Sequence, residues 1–173
     1  LRQSHNNRIG AGDAELDRDG SADGAKRPAA LRSYFQARIS YLEGMNARLH
    51  GRPEAAEALF RQTLQAAQRA AAAGSGELAS QYRSDSNRLI ADCHAQLMRF
   101  RGTIYMVFHG GEARRAAFSA VELDPENARA HITVASYYAN APRAGGGDRR
   151  AAVKHAELAL ELSGPEDKAV RFM

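Results

Sequence analysis

Apolar residues in this chain recur every three or four positions, and the recurrence is broken into blocks by glycine, proline and polar clusters. That spacing places the apolar side chains on one face of a helix, and strand-like alternation is nearly absent. Leu31, Phe35, Ile39, Leu42, Met45 and Leu49 define a first amphipathic segment. A second follows in "RPEAAEALFRQTLQAAQRAAAAGSG", where Pro53 falls in the first turn and glycines mark the stop. These two segments predict an antiparallel pair over residues 30–72.

A second pair is expected over 77–124, as a long periodic segment from about Glu77 to Phe108 followed by "GEARRAAFSAVELDP". "SDSN" at 84–87 offers helix-capping residues and predicts an interruption there. A third pair, over 126–163, runs from "ENARAHITVASYYAN" across a glycine-rich connection to "DRRAAVKHAELALELSGP". The closing "EDKAVRFM" reads as a further short helix, giving about seven helices in all. Residues 1–27 are polar and dotted with glycine, which predicts a flexible or extended arm ahead of a helical domain at 28–173.

Composition supports the class without changing the picture: alanine is abundant and proline is scarce, so the fold expected is all-α, built from antiparallel helical hairpins. The formal net charge is +4, carried almost wholly by arginine. These arginines are scattered among acidic residues and are not interleaved with aromatics, so nucleic acid is not the expected partner. No apolar run is long enough to span a bilayer. Cys93 is the only cysteine, which rules out an intramolecular disulfide and predicts a small core residue inside "LIADCHAQL".

The hairpins match a repeat pattern. In the first, Gly44 takes the small position of the leading helix, Gly51 the turn, Ala56 and Phe60 the A-x3-F element and Thr63 the next small site. In the second, Gly102 and Tyr105 give G-x2-Y, and Ala113, Ala117, Ala120 and Pro125 complete the trailing helix. In the third, Ala135 and Tyr138 stand at the first element and Ala152, Ala156 and Ala159 at the second. Over residues 36–165 the chain therefore resembles the tetratricopeptide-repeat proteins, whose unit of about 34 residues stacks hairpins into a superhelix. It departs from them in the 58 residues separating Gly44 from Gly102.

That resemblance implies a non-enzymatic scaffold that takes a protein or peptide on the concave face formed by the leading helices. The residues it would place there are Arg38, Tyr41, Met45 and Arg48 from the first pair and Gln96, Arg99, Thr103 and Met106 from the second. From the third it would place Arg129, Ile132, Ser136 and Asn140. Arginine forks suit carboxylates, and Tyr and Met suit apolar side chains. The lysine and asparagine clamp of chaperone-tail-binding members is absent, since Tyr41 and Met45 occupy positions it needs.

The long helices around "RLIADCHAQLMRF" and the "YYANAPRAGGGD" insertion are also similar to the divergent repeat proteins that accompany bacterial TRAP-type transporters. This second resemblance implies an exported accessory with a ligand pocket and a periplasmic solute-binding protein as partner. The sequence leaves bacterial cytoplasm and periplasm both open.

Catalytic and metal signatures are not found. The six histidines contain neither HExxH nor H-x3-H, and no serine sits in G-x-S-x-G. "ELDRDGSADGAK" at 15–26 alternates carboxylates as a calcium loop does, yet ends in Lys26 where a bidentate carboxylate is needed. The three glycines at 145–147 are followed by Asp148 and two arginines instead of the Lys-Ser/Thr of a phosphate loop. Asp148 is expected to cap a helix, and the turn carrying it is about five residues longer than the repeat requires. Neither a catalytic residue, a metal nor a cofactor is expected.

Overall fold

The computed structural model describes residues 22–76 and 78–163. Among these the chain is all-α: α1 (Ala22–Leu49), α2 (Pro53–Ala71), α3 (Ser80–Arg101), α4 (Thr103–Leu123), α5 (Ala128–Asn140) and α6 (Arg149–Leu162), with a short 3-10 turn at Arg143–Gly145. Consecutive helices pair as α1/α2, α3/α4 and α5/α6. The leading helices also touch in series, α1 to α3 and α3 to α5, while α2 packs on α3 and α4 on α5.

Small residues govern the first pair. Ala30, Ala37, Ser40, Gly44 and Ala47 lie along one buried stripe of α1, and Ala56, Phe60, Thr63, Ala66, Ala67 and Ala70 line the facing stripe of α2. A side chain on Gly44 would meet the Phe60 ring at 2.9 Å, so the missing β-carbon admits the largest fully buried side chain among the described residues. Around Phe60 gather Cys93, Leu97 and Tyr105, which links the first pair to the second. Cys93 is fully buried, as expected of a small core residue.

Three sequence expectations are corrected. Residues 22–27 belong to α1, so the helix starts ahead of the boundary placed at 28 and carries Pro28 inside it. The rest of the proposed arm, most of the calcium-like loop and the short closing helix lie outside the described residues.

Ser84, Asp85 and Ser86 do not interrupt the second segment; they are buried within α3. Their polar groups find partners without leaving the helix. Ser84 Oγ donates to the Ala120 carbonyl at 2.7 Å and Ser86 Oγ to the Tyr82 carbonyl at 2.7 Å.

The long segment expected to reach Phe108 ends at Arg101, and the break falls at Gly102, where φ is +75° and the chain reverses on a single residue. That left-handed conformation costs glycine little and other residues more. Gly102 is therefore the joint of the second pair and not a small residue within its leading helix. Tyr105, Thr103 and Met106 accordingly belong to α4.

The third pair keeps the cap expected at Asp148 and has a second one at Asn127. Asn127 caps α5 by accepting from the Arg129 and Ala130 amides, and its side-chain amide donates to Ser84 Oγ at 2.9 Å. Asp148 caps α6, its Oδ1 accepting from the Arg150 amide at 2.8 Å and the Ala151 amide at 3.3 Å. A side chain at Gly147 would strike the Ala141 carbonyl oxygen at 1.9 Å, and the Tyr137 hydroxyl donates to the Gly145 carbonyl. Asp148→Ala is expected to lower stability by about 1 kcal/mol, read by urea denaturation. An unchanged midpoint would remove the capping role.

Candidate binding groove

Four of the residues around the junction of α1, α3 and α5 are polar and large, and helical spacing aims them together. Arg38 and Tyr41 lie three apart on α1, Arg88 on α3 and Arg129 in the first turn of α5. With Leu42 and Leu89 they line a cavity of about 260 Å³. Three guanidinium groups thus border one small space with an apolar floor.

The cavity rests on an ionic chain that crosses all three leading helices. Arg88 Nε lies 2.6 Å from Asp85 and its Nη1 lies 2.6 Å from Asp92. The Tyr34 hydroxyl donates to Asp85 at 3.2 Å, Arg38 Nη1 donates to that hydroxyl at 3.2 Å, and Thr133 Oγ1 donates to Asp92 at 2.8 Å. Arg38 Nε stands 3.9 Å from Asp85. Arg88 is thus doubly paired and fixed, whereas Arg38 is held loosely and Arg129 has no ion pair among the described residues.

Burial and charge act against each other here. Burial pushes the Asp85 carboxyl upward, but the charge and hydrogen bond of Arg88, with help from Arg38, bring it below the usual carboxylate value. In Asp92 burial prevails over the pull of Arg88 and Thr133, and its value is raised. Burial would lower Arg88, yet the two aspartates hold it above an ordinary arginine, so it stays charged at any working pH. Burial and the charge of Asp92 raise Tyr41, which therefore stays a neutral phenol that can donate a hydrogen bond.

The remaining expected groove residues are dispersed. Met45 is half-buried and packs against the Phe60 cluster, as do Tyr41 and Met106. Arg48 and Gln96 are half-buried, and Nε of the first and Oε1 of the second are buried with no hydrogen-bond partner among the described residues. Arg99 is exposed near the end of α3 and Thr103 is exposed at the start of α4, across the Gly102 joint. On α5, Ile132, Ser136 and Asn140 are exposed, and the Asn140 amide donates to the Ser136 carbonyl at 2.7 Å. Leu42, Arg88 and Leu89 line the cavity without having been expected there. The signal for Arg88 is the spacing D-x2-R-x3-D, which sets two carboxylates beside one arginine on a single helix face.

Two histidine clusters lie elsewhere. His94 Nδ1 is 2.9 Å from the Tyr105 hydroxyl and its Nε2 is 3.3 Å from Glu112. Burial keeps its pKa below the ordinary histidine value despite that carboxylate. His131 and His155 approach at 3.0 Å between their Nδ1 atoms, joining α5 to α6, and burial followed by the charge of His131 lowers His155. Among the described residues no His, Cys, Asp and Glu set is arranged to hold a metal ion, and no helix is long and apolar enough to cross a membrane. Comparison with protein-family models, curated proteins and solved structures yields no match to this chain.

Proposed function

We propose that this protein is a non-enzymatic scaffold of tetratricopeptide-like hairpins that holds an acidic, extended segment of a partner protein against α1, α3 and α5. The observation that carries the reading is the cavity bordered by Arg38, Arg88 and Arg129 with Tyr41 beside them. Arg38 and Arg129 are the groups with donors to spare, and a guanidinium recognises a carboxylate through paired hydrogen bonds. Leu42 offers apolar contact to the neighbouring side chain, and the neutral Tyr41 hydroxyl adds a donor. Arg88 acts as the fixed base of the site, since both of its aspartate bonds are needed inside the protein. Arg48, Gln96, Arg99, Ser136 and Asn140 stand outside the cavity, and the reading does not depend on them.

Fluorescence anisotropy with a labelled peptide of alternating Glu and Leu, set against its Lys and Leu counterpart, tests the reading. The acidic peptide is expected to bind more tightly, and the Arg38→Ala, Arg129→Ala double variant is expected to weaken it by roughly tenfold or more. Equal binding by the variant and the parent would sink the groove.

A second reading follows from the size of the cavity. At about 260 Å³ it suits a small organic acid, which accords with an exported accessory of a TRAP-type solute transporter. A thermal shift given by small dicarboxylates but not by the acidic peptide would favour it over the scaffold. A screen in which small acids move nothing would dismiss it.

A further inference from the structure

The outward face of α1 is apolar where the end of a helical stack is ordinarily polar. Phe35 is 46 % exposed, Ile39 57 % and Leu42 63 %, and with Leu31 they run along one side of the helix. This side borders an open groove of about 670 Å³ lined by Leu31, Arg32, Phe35, Ile39, Glu43 and Gln62, among others. The described packing partners of α1 are α2 and α3, which cover its other faces. Terminal units of helical stacks need a polar outer surface to stay soluble, so an apolar one calls for a cover.

The sequence of the stripe specifies what that cover is. Leu31 and Leu42, Phe35 and Ile39, and Arg32 and Glu43 form three pairs whose midpoints coincide within one residue, at Ala37. A second α1 laid antiparallel about a two-fold axis at Ala37 sets Leu31 against Leu42, Phe35 against Ile39 and Arg32 against Glu43, each pair made twice. Arg32 and Glu43 occupy the same edge of the stripe, and equivalent edges face each other in an antiparallel pair.

Both residues are exposed and neither has an ion-pair partner among the described residues. They lie about 17 Å apart along the helix axis, at 1.5 Å per residue, so they cannot pair within one chain. Arg38, at the opposite edge, is turned to Tyr34 and Asp85 of its own chain.

We propose that the outward face of α1 is an isologous dimerisation surface, occupied by the same face of a second copy of this chain. Two stacks then join end to end through their first helices, with Phe35 and Ile39 at the centre and reciprocal Arg32–Glu43 pairs at the rim. Such an interface is self-complementary by symmetry. The two surfaces meet at Leu42, which also lines the cavity bordered by Arg38 and Arg129, so the second copy stands against one wall of that cavity.

Sedimentation equilibrium of the full chain from sub-micromolar to 100 micromolar tests this, with circular dichroism to verify that each variant folds. The wild type is expected to dimerise reversibly. Ile39→Asp is expected to be monomeric throughout with an unchanged helical spectrum.

Arg32→Glu and Glu43→Arg are each expected to weaken the dimer by roughly tenfold at low salt, because each turns two attractions into two repulsions. The combined R32E/E43R chain is expected to return to within about threefold of the wild type, since the swapped charges pair again across the axis. A wild type that stays monomeric over the whole range overturns the proposal. So does a dimer for which the combined variant is no better than the single ones. A chain that remains monomeric while binding phosphatidylglycerol vesicles through Ile39 overturns it as well.

Discussion

Arg88→Ala is expected to cost about 3–5 kcal/mol, a large part of the stability of a single domain. The loss comes less from the missing bonds than from what they leave behind. Asp85 and Asp92 would remain at the junction of α1, α3 and α5, each deprived of the guanidinium that lies 2.6 Å away.

The variant should therefore respond to acid differently from the parent. In the wild type Asp85 lies below its usual value, so its contribution is present above about pH 4 and disappears as pH falls through the folded value. Without Arg88, burial dominates both carboxyls and raises them above their unfolded values. Their penalty is then full at neutral pH and is relieved as they take up protons. Urea denaturation at pH 7 and pH 4.5 is expected to show the gap between variant and parent narrowing at the lower pH. A constant gap would mean that the carboxylates are not the source of the loss.

Phe60→Ala is expected to be comparably damaging, at about 3–5 kcal/mol, through the cavity that it opens. The ring is wholly buried, lies 5.8 Å from Tyr41 and 6.2 Å from Phe100, and fills the recess left by Gly44. Gly44→Ala alone forces the ring to shift, because its new carbon would lie 2.9 Å from it. In the Phe60→Ala background that obstacle is gone. The double variant is expected to be no less stable than Phe60→Ala alone, so the two effects should not add. Additive losses measured by thermal or urea denaturation would show that Gly44 and Phe60 do not share one space.

The Gly44 and Phe60 relation was legible in the sequence, because small and aromatic residues at fixed spacing have one economical arrangement in a helical hairpin. Helix class and the cap at Asp148 were legible for a similar reason, since side-chain chemistry acts over a few residues, whereas the cap at Asn127 was not singled out. Gly102 was not. A glycine within an apolar-periodic run reads equally as a close-packing residue or as a joint, and its sequence neighbours do not distinguish them. Gly110 and Gly111, which look more like a break, remain inside α4.

The serines of "SDSN" misled in the opposite direction. Capping chemistry and buried bonding to a helical carbonyl use the same hydroxyl, and only the position of Ala120 decides between them. Arg38, Tyr41 and Arg129 were brought to one cavity because periodicity fixes which face of a helix they occupy. Arg88 was overlooked because nothing local sets it apart from the other arginines scattered among acidic residues. Burial between three helices depends on distant parts of the chain.

The joint at Gly102 has a consequence for how the chain tolerates changes of length. One residue links α3 to α4, so there is no slack to absorb an insertion. A residue added within the first turns of α4 would rotate Ala113, Ala117 and Ala120 by about 100° about the helix axis and carry them away from α3. The connection between α5 and α6 is free of this constraint before its Asp148 cap, where a short turn and exposed residues take up the length. Helical phase is thus locked between α3 and α4, and exposed length is found in the connections from α2 to α3 and from α5 to α6.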